Sequence, residues 1–359
     1  MSELGAKLGL IRAALDRHGL AAVRLRGVDW FAWATCGGSS MVILTAEAGI
    51  AEVLVTPGHA WALTDSIEAE RLRQEELPAG LEVWSAPWQD PTARESFVAS
   101  VAGGAVASDR PTVAERPLPP ELVAAKRRLL PEELARYRTL GREAAEAMTE
   151  VLTQARPEWT ELQLAGAGAA ALWRRGIHPT LTLVGGERRV PIYRHATAGP
   201  EPLGARAMLV FCARRHGLYA NLTRFVYFRP PDAQERRLAE DAARVEAAAW
   251  AASGPGATLG AVYRTIAAEY ARLGHPGAEA YHHQGGTTGY LSREVVARPG
   301  DATVIEAATA LAWNPSLPGA KIEDTAVTSE QGIEVLTADP AWPTIQVEGR
   351  PRPDLLIRP

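Results

Sequence analysis

Cysteine is scarce in this chain: there are two, Cys36 and Cys212, far apart and without C-x-x-C spacing. That excludes a disulfide framework and a cysteine zinc site, and fits reduced thiols in a cytoplasmic protein. No apolar run approaches the roughly 18–20 residues needed to span a bilayer. Excess positive charge is also missing. The formal net charge is −4, which argues against nucleic acid as a main partner, since neutralising phosphates needs a basic surface. A signal-peptide core is absent as well: Glu3, Lys7, Arg12, Asp16 and Arg17 interrupt Leu4, Leu8, Leu10, Ile11 and Leu15 at helical spacing. No internal repeat is evident.

What is present is an ordinary globular composition, 47% apolar and 22% charged over 359 residues, enough for two domains with a sizeable core. After the first amphipathic helix, short strands are expected at 21–25, 41–45, 51–55 and 81–84, with a helix over 65–77. This alternation predicts a small α/β domain. Pro111, Pro117, Pro119 and Pro120 mark a boundary. Beyond it the texture changes to long Ala/Leu/Arg/Glu-rich helices over 131–154, 160–175, 232–252 and 259–273. Strands at 207–212, 222–227, 310–313 and 325–328 complete an α+β domain of helices on a largely antiparallel sheet.

Three segments carry the chemistry: Gly217-Leu218-Tyr219-Ala220-Asn221-Leu222-Thr223-Arg224, His282-His283-Gln284-Gly285-Gly286, and Lys321-Ile322-Glu323-Asp324-Thr325. With Asp29–Gly38 in the first domain and Leu130–Leu134 at the entry to the second, they resemble the motifs of the creatinase / prolidase / methionine-aminopeptidase superfamily. The resemblance covers nearly the whole chain. It implies an α/β N-terminal domain over 1–120, followed by an α+β pita-bread catalytic domain over 121–359.

Metallopeptidases of that superfamily bind two metal ions through Asp, Asp, His, Glu and Glu, because such ions take anionic oxygens and imidazole. In this chain the resemblance puts Val210, Asn221 and Gly286 at the two aspartates and the histidine, and Glu323 at the last glutamate. The first glutamate falls on Asn314, before Pro315, or on Glu306, which has the spacing expected from Pro299-Gly300. One or two carboxylates cannot hold a dinuclear cluster, so the expectation is no metal and no cofactor.

His195 follows the strand-and-turn segment Leu181–Gly186, where the superfamily keeps a histidine beside the scissile bond. Creatinase is the precedent for metal-free chemistry on this fold, and His195 with Glu323 matches its acid–base pair. The implied function is hydrolysis of a C–N (amide, amidine or ureido) bond of a small amino-acid-like molecule. His282, His283, Gln284, Asn314, Asn221 and Arg224 are expected around the substrate. Arg293 and Lys321 are candidates for its carboxylate, since a pocket with cations and few carboxylates suits an anionic or zwitterionic ligand. Two alternatives stand beside this: a metal-dependent Xaa-Pro dipeptidase or aminopeptidase with divergent ligands, and a non-catalytic binding protein on a retired scaffold. The resemblance also implies a homodimer in which Arg26, Trp30 and Phe31 border the partner's pocket.

Overall fold

Short alternating segments at the start of the chain build a six-stranded mixed sheet. A computed structural model describes residues 2–359, which fall into two units: the chain up to Glu133 with His216–Leu218, and Leu134–Arg215 with Tyr219–Pro359. In the first unit, helix α1 (Glu3–His18) is capped by Ser2, whose side chain accepts from Gly5 N, and ends at Gly19 with φ 58°. Leu4, Leu8, Ile11 and Leu15 form its buried stripe. Then come β1 (Ala22–Gly27), α2 (Val28–Ala34), β2 (Ala48–Val55), β3 (Ala60–Asp65), α3 (Ala69–Arg71), β4 (Glu82–Ala86), α4 (Ala93–Ala102), β5 (Val106–Ser108), β6 (Arg116–Pro117) and α5 (Pro120–Arg127). The strand order is β4-β3-β2-β1-β5-β6.

Two expectations fail here. Residues 41–45 are no strand: Val42 and Ile43 are exposed and Ala46 N donates to Ile43 O, closing a turn. β-Branched side chains favour a pleated surface only where a neighbouring strand supplies one. The helix over 65–77 shrinks to α3 and a π-helical turn over Leu72–Glu76. Trp30 and Phe31 are buried, Trp30 lies edge-on to Trp33, and Arg26 donates to Glu115 at 2.7 Å. Trp30 and Phe31 are spent on this unit's own core, not left as a free wall for a second subunit.

The second unit opens with α6 (Pro131–Gln154), whose first residues belong to the preceding unit, and α7 (Glu161–Trp173). Next are β7 (His178–Gly186), β8 (Arg206–Arg215), β9 (Leu218–Tyr227), α8 (Ala233–Ala252) and α9 (Leu259–Arg272). The remainder is strand: β10 (Gly285–Thr288), β11 (Val295–Val296), β12 (Ala310–Trp313), β13 (Ser316–Leu317), β14 (Ala320–Lys321), β15 (Asp324–Ser329), β16 (Gly332–Val335), β17 (Thr344–Val347), β18 (Arg350–Pro353) and β19 (Leu356–Ile357). Helices α7 and α8 begin where capping boxes place them, Thr160 with Gln163 and Asp232 with Glu235.

Strands β11-β10-β12-β15-β16 form one antiparallel sheet; β19-β9-β8-β7 form a second, in which β7 and β8 are antiparallel and β19 lies parallel to β9. A bridge between Thr223 and Glu323 brings β9 against the entry to β15. Val245, Trp250, Val262 and Ile266 from α8 and α9 pack on Leu311, Trp313 and Ala326 of the first sheet. This is an α/β unit followed by a helix-backed sheet unit of pita-bread architecture. Among the described residues no helix is long and apolar enough to cross a membrane.

Candidate active site

Glu323 sits at the bridge between β9 and β15, where Thr223 N donates to its carbonyl at 3.0 Å. Its carboxylate is buried. Oε1 accepts from Arg293 at 2.5 Å; Oε2 accepts from Thr223 Oγ1 at 3.0 Å and lies 3.5 Å from Lys321 Nζ. Burial alone would raise this carboxyl, but the Lys321 ammonium and then the Arg293 guanidinium outweigh it and pull it down to about 2. Glu323 is a permanent anion whose oxygens are already engaged.

Asp324, the next residue, serves the scaffold. It accepts from Arg224 at 2.7 Å, Thr337 Oγ1 at 2.6 Å and Arg352 at 2.6 Å, and Arg352 Nε reaches Glu246 at 2.8 Å. Arg224 also donates to the carbonyls of Thr223, Glu323 and Thr337. Its guanidinium is used up fastening β9 to β15. It lines a separate cavity of about 620 Å³ with Trp250 and Trp342, which none of the three histidines reaches.

Three histidines converge beside Glu323. The loop after β7 folds back so that Ala196 Cβ and Val190 Cγ2 would both stand 2.9 Å from a Cβ at Gly185. Only glycine permits that approach, and it presents His195 next to Ala196. His195 Nε2 lies 2.9 Å from His282 Nε2, and the His282 and His283 rings stack with centroids 4.5 Å apart. Burial and then the Lys321 charge push His282 down to about 2; burial and then Arg293 push His283 down to about 4. His195 is lowered as well, by partial burial and then Lys321. All three imidazoles are neutral near pH 7.

The amides divide by role. Gln284 is a bracket: its Oε1 accepts from Tyr270 OH at 3.1 Å, while Nε2 donates to the carbonyls of Glu279 and His282. It shapes the His282–His283 turn and has no free arm for a ligand. Asn221 donates from Nδ2 to Thr288 Oγ1 at 3.1 Å, and its buried Oδ1 has no partner. Asn314, at the end of β12, likewise has a buried Oδ1 without a partner. The two residues weighed for the first glutamate position lie in different settings. Glu306 is exposed and contributes only its carbonyl, to Thr328, whereas Asn314 pairs through its backbone with Gln284.

Thr223 and Tyr270 were not foreseen as site residues. The Thr223 signal lay in the Leu-Thr-Arg motif itself, but Tyr270 sits at an ordinary core position of α9 and carries no sequence signal.

With this geometry, the class is defined: a pita-bread, aminopeptidase-type unit behind a smaller α/β unit. The chain belongs to metallopeptidase family M24, whose model matches residues 135–330, more than half its length; it is of the hydrolase, peptidase-like class. No curated protein matches it in sequence. Among solved structures it is similar to the X-Pro aminopeptidase of Thermotoga maritima, with a TM-score of 0.79 at 16% identity, covering 98% of this chain and 99% of that one. It is also similar to a dipeptidase of Mycobacterium ulcerans, with a TM-score of 0.78 at 19% identity, covering 99% and 98%. The Xaa-Pro dipeptidase of Bacillus anthracis matches with a TM-score of 0.76 at 18% identity, covering 99% of each chain.

The family implies a dinuclear metal cluster, and the residues here do not fit one. Val210 packs in an apolar cluster with Leu183, Val190 and Met208. Glu323 is already neutralised by two cations. At Gly286 there is no room for any side chain: a Cβ would lie 2.0 Å from the Val295 carbonyl oxygen, at φ 154°. Gly286→Ala is therefore expected to cost about 3 kcal/mol or more, read as a lowered urea midpoint at unchanged slope. A variant as stable as wild type would contradict this packing.

Proposed function

We propose that this chain hydrolyses a C–N bond of a small, peptide-like molecule bearing a free carboxylate, without the dinuclear cluster of its family. The observation that carries the reading is the pair of cations, Arg293 and Lys321, gathered on one buried carboxylate beside three neutral imidazoles. Two positive charges against one negative leave a site that attracts a substrate carboxylate. In the creatinase-like, metal-independent form of the reading, His195 takes a proton from water. The water oxygen bonds to the acyl carbon and the proton passes to the leaving nitrogen. Glu323 keeps Arg293 and Lys321 in place. The unpaired oxygens of Asn221 and Asn314 accept from substrate N–H groups, with His282 and His283 as wall. The same reading makes the protein a cytoplasmic homodimer with neither nucleic acid nor membrane as partner.

A second reading is a metal-dependent Xaa-Pro dipeptidase or aminopeptidase. Family membership and the names of the structural neighbours weigh toward it, more than toward the creatinase-like form. The convergence of three imidazoles favours it specifically, but it needs an ion held somewhere other than at the family's ligand positions.

The test is a panel of dipeptides (Xaa-Pro included), N-carbamoyl amino acids and amidino acids, each with a free or amidated C-terminal carboxylate. Hydrolysis is expected only where the carboxylate is free, with kcat/KM at least about tenfold above the amidated partner, the value of one charge-assisted contact. Absence of turnover across the panel, with and without added divalent metal, would leave a binding protein on this scaffold instead.

A further inference from the structure

We propose that His195, His282 and His283 form a mononuclear site for a borderline divalent ion of the zinc or cobalt type, separate from the family's five ligand positions. The inference rests on the reading of this pocket as hydrolytic and supplies the ion that its metal-dependent form requires. The donor atoms of the three rings lie within 4.8 Å of one another, a spread that small side-chain rotations bring to the spacing of ligands in a four-coordinate site. Two of the rings face each other through Nε2 atoms 2.9 Å apart.

Hydrogen bonding points the same way. His282 and His283 each bury an Nδ1 without a partner. Leaving ring nitrogens unpaired is costly in a folded protein and common where a ligand completes the set. The segment that carries both rings is fastened: Gln284 Nε2 donates to the His282 carbonyl, and the turn before it, Ala278–Tyr281, starts from Gly277 at φ 81°. His195 arrives on a different loop and stays open to solvent on one side, which leaves a coordination position for water or substrate.

Charge decides what else binds. Three imidazole ligands leave the ion's charge uncompensated, and Lys321 and Arg293, both held on Glu323, add positive charge nearby. The site therefore takes its fourth ligand as an anion, either hydroxide or the carboxylate of a small acid. Hard ions such as magnesium and calcium, which want several oxygens, are excluded by the donor set.

The test uses the full-length protein, stripped with chelator and titrated with cobalt(II) alone, following visible absorbance and equilibrium dialysis. One equivalent with the intense bands of a four-coordinate ion is expected. His195→Ala, which removes a solvent-facing side chain, and His282→Ala should each weaken binding by about 100-fold or more. Lys321→Met should tighten it by about threefold to tenfold by removing a like charge. The proposal is overturned if wild-type protein takes up no cobalt, if both histidine variants bind as wild type does, or if Lys321→Met weakens binding. Hydrolysis that persists in chelated, cobalt-refractory protein would sink the metal site and leave the hydrolase reading standing. Cobalt binding without any hydrolysis would do the reverse.

Discussion

A His195→Ala protein is expected to lose at least about 100-fold in kcat/KM on any amide the wild type hydrolyses, while its unfolding free energy stays within about 0.5 kcal/mol. The asymmetry follows from where the side chain stands. It is open to solvent and hydrogen-bonds to His282 Nε2, and the neighbouring Ala196, fully buried, anchors the loop without it. Removing the imidazole leaves little unsatisfied and opens no core cavity. It does remove a solvent-open ring that touches both the buried His282 and His283. The loss is the same whether His195 carries a proton or holds an ion, so cobalt affinity measured on the same variant separates the two. Activity at the wild-type level would end the assignment of His195 to the chemistry.

Asp324→Ala is expected to do the opposite, costing about 3–5 kcal/mol of stability. Arg224 and Arg352, both buried, lean on this one carboxylate from its two oxygens. Taking it away strands Arg224, whose remaining acceptors are backbone carbonyls, and leaves Arg352 with Glu246 alone. Asp324→Asn keeps the shape and part of the hydrogen bonding, so it should lose less. Urea unfolding of the three proteins gives the ranking, and a loss under about 1 kcal/mol for the alanine variant would mean that the network is not coupled as drawn. Glu323 and Asp324 are neighbours in sequence, yet one faces the histidines' field and the other the opposite side of the strand, as alternation along an extended chain requires.

That alternation shows what could be read from sequence and what could not. The motif Lys321–Thr325 announced the fold and the place of Glu323, because its spacing is specific. The helices expected from 160 and 232 do begin there, and capping boxes at Thr160 and Asp232, local chemistry, start them. His195 was singled out from the turn that precedes it, and it lies against His282. What stayed hidden was tertiary. Nothing in the letters shows that Gln284 spends its amide on Tyr270 and two carbonyls, or that Arg224 turns away from the pocket. The apolar residues at 41–45 suggested a strand that never found a partner. Nor does the sequence reveal that Arg293 and Lys321 neutralise Glu323 directly, a pairing across 30 residues in one case and two in the other. Each is decided by which groups meet after folding.

The carbonyl of Val295 pressed against Gly286 also bears on how the site could change. A histidine restored at that position would meet backbone before it could reach an ion, and the strand pair β10–β11 would have to shift first. Substituting Asp at 210 and 221 and Glu at 314 would therefore yield a pocket with more negative charge and still no imidazole where the family puts one. For an engineer, placing the family's cluster here is limited by main chain rather than by side chains. New chemistry on this scaffold is more readily built outward from the three histidines than toward the family's five ligands.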